Sequence, residues 1–127
     1  MNKINKIFKL GFIGGSINST IGNTHIKAIN LNRNLSIDCA FFSRNKKINL
    51  SSAKKYNLKP NKVYSSVEKL IENEKKSLDA AVVLTPPNVR YKIIKLLVDN
   101  NIPIICEKPL CSNLSVSKKI YKLIRNK

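Results

Sequence analysis

The sequence predicts an α/β domain: a doubly wound, parallel sheet with helices on both faces. Short apolar runs alternate with longer amphipathic ones along the whole chain. The run from Leu78 to Thr85 is apolar almost throughout, as a strand covered on both faces should be. Strict β-α alternation in turn implies parallel strands joined by right-handed crossovers. At 127 residues the chain is long enough for one domain with one core.

Ile7 to Ile13 reads as the first strand. Ser19 to Asn32 has helical spacing, with Ile21, His25, Ala28 and Ile29 on one face. Ser36 to Ser43 is a second strand, rich in β-branched and aromatic residues. Ser52 to Tyr56 is a short helix with Ser51 as its N-cap. Lys62 to Tyr64 forms a short third strand. Ser65 or Ser66 caps a helix running to Glu74, with Val67, Leu70 and Ile71 inward and Glu68 suited to the positive end of the dipole. Leu78 to Thr85 is the fourth strand, stopped by Pro86-Pro87, and Asn88 caps a helix from Val89 to Asn100. Ile102 to Cys106 is a fifth strand. Leu114 to Arg125 is a last helix with Val116, Ile120 and Leu123 inward. The predicted sheet order is 3-2-1-4-5. In such sheets ligands bind beyond the carboxyl ends of the strands, here Gly14, Ser43, Thr85 and Glu107.

Composition narrows the partners. The formal charge is +17, which invites a nucleic-acid reading, but basic charge alone is a weak footprint. The lysines are spread along the chain. Lysine, asparagine and isoleucine make up about two-fifths of it, and all three have AT-rich codons, so base composition accounts for the charge without a nucleic-acid ligand. The charge still favours anionic small molecules at low salt. No apolar run approaches the ~20 residues that span a bilayer. The opening Met1 to Ile13 has lysines before apolar residues, as a leader does. However, Lys9 interrupts the run and no small-residue cleavage site follows. The cysteines, Cys39, Cys106 and Cys111, are odd in number and two lie in apolar runs, which suits a reduced, cytoplasmic compartment. No cysteine–histidine spacing suggests a metal site.

Four segments could carry chemistry. Gly14-Gly15-Ser16, with Ser19 and Ile21-Gly22 beyond, is a glycine-containing strand-to-helix turn of the kind that lets backbone approach a pyrophosphate. It departs from G-x-G-x-x-G at Ser16, and its loop to Gly22 is long. Ser43-Arg44 ends the second strand, where a carboxylate would take the ribose 2′-hydroxyl of NAD. A serine and an arginine there suit a 2′-phosphate and tilt the reading toward NADP, while a solvated turn arginine remains the plain alternative. Thr85-Pro86-Pro87-Asn88 is a rigid loop that could line a nicotinamide pocket, start a helix, or do both. Glu107-Lys108-Pro109 closes the last strand. Lys108 is the candidate proton relay, and Glu107 can hydrogen-bond cofactor or lysine. A cis Lys108–Pro109 bond is open to it. His25, the only histidine, is more often a packing residue than a base in such a place.

These segments resemble the glucose–fructose oxidoreductase and inositol dehydrogenase family, Gfo/Idh/MocA. The resemblance rests on Gly11-Phe12-Ile13-Gly14-Gly15 through Ile21-Gly22 to His25 and Ala28. It rests also on Thr85-Pro86 with Asn88 and Tyr91, and on Ile105-Cys106-Glu107-Lys108-Pro109-Leu110. It implies a Rossmann domain, NAD or NADP as cofactor, and hydride transfer at a sugar or cyclitol carbon. Lys108 is then the catalytic lysine, and Gly14 to Gly22, Ser43-Arg44, Thr85 to Asn88 and Glu107 contact cofactor. Arg90 stands where the family often has histidine, and Pro87 where it often has asparagine. Family members carry a second α/β domain with the substrate pocket, so 1–127 is expected to be the cofactor half of a truncated or split enzyme, inactive alone. The alternatives are a non-catalytic dinucleotide-binding or partner-binding module and a basic nucleic-acid binder. Self-association into a homo-oligomer is left open.

Overall fold

The computed structural model describes residues 6–127. The first five residues, part of the segment weighed as a leader, lie outside it. Four parallel strands form one sheet: β1 (Phe8–Gly14), β2 (Leu35–Phe41), β3 (Ala80–Leu84) and β4 (Ile104–Cys106), in the order β2-β1-β3-β4. The five helices are α1 (Thr20–Asn30), α2 (Lys46–Lys55), α3 (Val67–Glu74), α4 (Arg90–Asp99) and α5 (Leu114–Arg125). No helix among the described residues is long and apolar enough to cross a membrane.

Alternation along the strands sends successive side chains to opposite faces. Ile13, Cys39, Ala81 and Val83 pack against Val67, Leu70 and Ile71 of α3 and Ile93 and Leu97 of α4. On the other face Leu10, Phe12, Ala40, Val82 and Leu84 meet Ile26 and Ile29 of α1 and Ala53 of α2. A third cluster, around Ile94, Val98, Cys111 and Ile120, attaches α5 to α4. The doubly wound architecture is therefore as expected, with the expected strand order less one member.

That member is the third strand. Val63 makes only a single bridge to Ala40. A 3-10 turn, Pro60–Lys62, precedes it, and Lys62 turns to the carboxylates of Glu74 and Asp38 instead of extending a ladder. The helix after β2 starts six residues earlier than expected, capped by Asn45 and not Ser51. Its buried face is Asn49, Ser52 and Ala53, and two polar residues in that face hide the amphipathic period. The inner face of α1 is Gly22, Ile26 and Ile29: Ile29 is as expected, while the expected Ile21, His25 and Ala28 stand one residue off that face. Glycine contributes nothing to an apolar stripe, yet here it is buried against the backbone of Gly15, just past β1. Asn88 does not cap α4. A 3-10 turn, Pro87–Val89, leads into the helix with no side-chain cap. Ser66 does cap α3, accepting from Lys69 N at 3.2 Å.

Candidate functional site

All four expected ligand segments stand at the carboxyl edge of the sheet. Gly14 pairs with Leu84, the residue before Thr85, and Glu107 N donates to Val83 O at 3.2 Å. A cavity of about 740 Å³ opens over this edge, within the size range of small-molecule sites. Gly14, Gly15, Ser16 and Ser19 form one wall, Thr85, Pro86 and Asn88 another, and Ser43 and Arg44 the rim above β2. Phe41, Val67, Ile93 and Leu96 supply its apolar lining. The sequence assigned none of these four to the site, nor Lys92; it gave Val67 only as an inward residue of its helix. Glu68, read there only as a charge suited to the α3 dipole, also lines the cavity.

The glycine turn is built by the absence of atoms. Gly14 and Gly15 have φ of +83° and +75°, the left-handed region that side chains disfavour. A Cβ on Gly14 would stand 2.9 Å from Thr85 N, and one on Gly22 would stand 2.5 Å from Gly15 O. So Gly22 lets α1 start directly against the turn, bringing the helix's positive end to the cavity. Ser16 is not a left-handed position, which explains how the loop dispenses with a glycine there. Ser16 O accepts from Ser19 N at 2.8 Å, and Ser19 Oγ accepts from Gly22 N at 3.0 Å as the N-cap of α1. Ile17 N donates to Ser52 Oγ at 3.0 Å, so α2 braces the loop from behind. Ile21 is exposed and, with Gly22 and Pro87, does not line the cavity.

At the β2 end, the buried Asn49 Oδ1 accepts from Phe42 N and Ser43 N, and Asn45 N donates to Ser43 Oγ. The Ser43 hydroxyl proton is left to donate. Arg44 is exposed and makes no ion pair among the described residues. At the β3 end, Thr85 Oγ1 is buried with no hydrogen-bond partner among the described residues, an uncommon condition in a folded protein.

The fourth segment is arranged differently. Lys108 is exposed, its peptide bond to Pro109 is cis, and neither Lys108 nor Glu107 lines the cavity. Glu107 points its carboxylate to α1: His25 Nε2 donates to Glu107 Oε1 at 2.7 Å, and Lys108 N donates to Oε2 at 3.3 Å. The hydrogen bond from His25 holds the Glu107 carboxyl below its usual range. His25 lies edge-on to Phe12, with ring centroids 6.5 Å apart. Arg90 is the residue that sequence reasoning missed. It is buried, lines the cavity, and donates to the carbonyls of Thr85, Glu107 and Pro109. Burial raises the Cys106 thiol and pushes Cys39 up to about 12, so neither is an activated nucleophile. No group of three or more metal-ligating side chains gathers among the described residues.

The residues present fit a dinucleotide: a cradle that a Cβ would fill, a helix start behind it, and an apolar slot beside it. The model of an oxidoreductase family with an NAD-binding Rossmann fold matches residues 8–127. An oxidoreductase from Sinorhizobium meliloti is similar, with 30% identity and a TM-score of 0.83, over 93% of this chain and 34% of that one. An inositol dehydrogenase homologue from Azotobacter vinelandii, solved with NAD+, shares the fold at a TM-score of 0.86 and 21% identity, over 98% of this chain and 33% of that one. An uncharacterised Saccharomyces cerevisiae protein, YMR315W, is 31% identical over 66% of this chain and 24% of its own length. The chain thus spans about a third of its solved relatives and a quarter of that curated one. It belongs to the Gfo/Idh/MocA oxidoreductase family and comprises that family's NAD-binding Rossmann fold.

Proposed function

We propose that residues 1–127 are the NAD(P)-binding half of an oxidoreductase that moves hydride between nicotinamide and a hydroxyl-bearing carbon of a sugar or cyclitol. The observation that carries this reading is the Gly14-Gly15 turn pressed against Gly22 at the mouth of the cavity. A bound nicotinamide coenzyme supplies hydride acceptance and donation. The chain's own residues do the rest. Gly14 to Ser19, with the start of α1, hold the pyrophosphate. Ser43 donates to, and Arg44 pairs with, a ribose 2′-phosphate, so NADP is preferred. Thr85 to Asn88 bound the nicotinamide end. Lys108 takes the proton from the substrate hydroxyl as hydride leaves its carbon. Residues that enclose the substrate lie outside this stretch, since nothing in the described cavity shields Lys108 from water. The unpaired thiols suit a cytoplasmic setting.

Titration of the purified chain with NADH and NADPH, followed by nicotinamide fluorescence, tests the reading. Saturable binding of both, tighter for NADPH, is expected, with no measurable sugar oxidation by this stretch alone. Absence of binding to either coenzyme refutes it. A second reading is a dinucleotide-binding module that docks a partner without catalysis. It is favoured by exposed Ile105, Leu110, Leu114, Tyr121 and Ile124 on and after β4. In the assembled protein, Lys108→Ala abolishes turnover if the lysine is catalytic and changes nothing if the module only binds.

A further inference from the structure

Arg90 opens α4 and is 4% exposed. No carboxylate pairs with it among the described residues. Its three hydrogen bonds go to backbone carbonyls: Nε donates to Thr85 O at 2.7 Å, and Nη1 to Glu107 O and Pro109 O. Thr85 follows β3, and Glu107 and Pro109 flank Lys108 just after the neighbouring β4. A guanidinium is planar, always charged, and presents its donors in a fixed fork. Three carbonyls on one such fork fix one another's places. A buried cation is costly unless well hydrogen-bonded, and the first turn of a helix is the end where a cation is least favoured. An arginine kept there against both effects points to a local task.

The flanks have other anchors, Glu107 through Val83 O and His25 and Cys111 through its burial, but the three residues between them have little else. Lys108, Pro109 and Leu110 are exposed, and Lys108 N reaches only the carboxylate of its own neighbour. We propose that Arg90 is a positioning residue: it locks the Lys108 turn to the end of β3 and so sets where Lys108 stands relative to the nicotinamide end of the cavity. It does not touch the reacting atoms. The functional half of this inference rests on the cofactor reading above; the clamp itself does not.

The test uses Arg90→Met, which keeps length and removes every donor, and Arg90→Lys, which keeps the charge on a single-headed donor. In Arg90→Met the backbone order parameters of Lys108 and Leu110 fall from the rigid range near ~0.85 to below ~0.6, those of Gly14 and Gly15 hold, and Arg90→Lys lies between. NADH binding weakens about tenfold, while ADP-ribose, which lacks the nicotinamide, stays within about twofold. Unchanged order parameters at Lys108 and Leu110, or an equal fall at Gly14 and Gly15, overturn the clamp. A loosened turn with equal losses for NADH and ADP-ribose overturns the positioning role. If Arg90→Met does not fold, Arg90→Lys decides by the same comparisons. If the unaltered chain binds neither ligand, the cofactor reading falls by itself and the order parameters still judge the clamp.

Discussion

The two ends of the sheet are built by opposite rules. At the carboxyl end the chain removes atoms and leaves polar groups unpaired: left-handed Gly14 and Gly15, the contact at Gly22, the lone hydroxyl of Thr85, the unpaired Arg44. At the amino end no buried side-chain polar atom lacks a partner among the described residues. Buried Glu74 accepts from Lys62 Nζ at 2.8 Å on both oxygens, from Tyr64 OH, and from Ser77 Oγ at 3.0 Å. Asp79 accepts from Lys6 Nζ and Lys9 N. Buried polar groups with full sets of partners rigidify a fold, whereas an unmatched one is costly and gains from any ligand that pairs with it. So the carboxyl end should be intolerant of added atoms, and the amino end intolerant of lost partners.

The largest effect expected from this contrast is at Gly22. An alanine there puts its Cβ within 2.7 Å of three backbone atoms of Gly15, and backbone cannot rotate aside as a side chain can. Gly22→Ala should destabilise the chain by about 3 kcal/mol and weaken dinucleotide binding by about a hundredfold, since α1 must lift off the turn. Thermal unfolding and NADPH titration measure the two. Wild-type affinity in a folded Gly22→Ala protein would break the comparison at its sharpest point.

Glu74→Gln attacks the other end. It strips a negative charge from beside Lys62 and should cost about 2 kcal/mol, less than the ~3–5 kcal/mol of breaking a fully buried pair, because Lys62 stays partly in water. Coenzyme affinity of the folded protein should not change. The same group gives a pH signature. Burial alone would raise the Glu74 carboxyl, but hydrogen bonds from Lys62, Tyr64 and Ser77 outweigh it and hold the carboxyl below its ordinary 4.5. A depressed folded value means the contribution is complete above pH 4.5 and lost as pH falls through that lower value. Lys62 is raised above its ordinary 10.5, chiefly by its hydrogen bond to Glu74, so its share is complete below that pH and lost above it. Chemical denaturation at pH 3 and pH 7 should show a steeper loss for the unaltered chain than for Glu74→Gln.

How much of this the sequence discloses follows from the same contrast. Gly14-Gly15, Thr85 and Glu107-Lys108-Pro109 are legible because each ends an apolar run, and strand ends in a parallel sheet share one edge. The α1 face is misread by one residue because Gly22, its most constrained position, carries no apolar signal. The early start of α2 is hidden because Asn49 and Ser52 are buried for their hydrogen bonds to the β2 end and the glycine loop. Arg90 reaches Glu107 and Pro109, and His25 reaches Glu107, across 17 to 82 positions, and no local pattern announces such a meeting. The third strand fails for a tertiary reason: Lys62 does more for the fold by reaching Glu74 than by extending a ladder.

The smallest effect, and the finest test of the carboxyl end, lies at Arg44. Nothing among the described residues neutralises it, and β2 ends without the carboxylate that would select a ribose hydroxyl. Ser43 beside it keeps its hydroxyl proton because its oxygen already accepts from Asn45 N at 3.1 Å. A 2′-phosphate therefore meets one cation and one donor. A charge-assisted contact at an exposed rim is worth about 1.4 kcal/mol, so Arg44→Ala should lower NADPH affinity about tenfold and leave NADH within about twofold. The NADPH advantage should also shrink as salt rises, because the rim lies within reach of screening ions. Equal losses for both coenzymes would mean that Arg44 serves the pyrophosphate or the fold, and the unpaired groups at this end would then discriminate nothing.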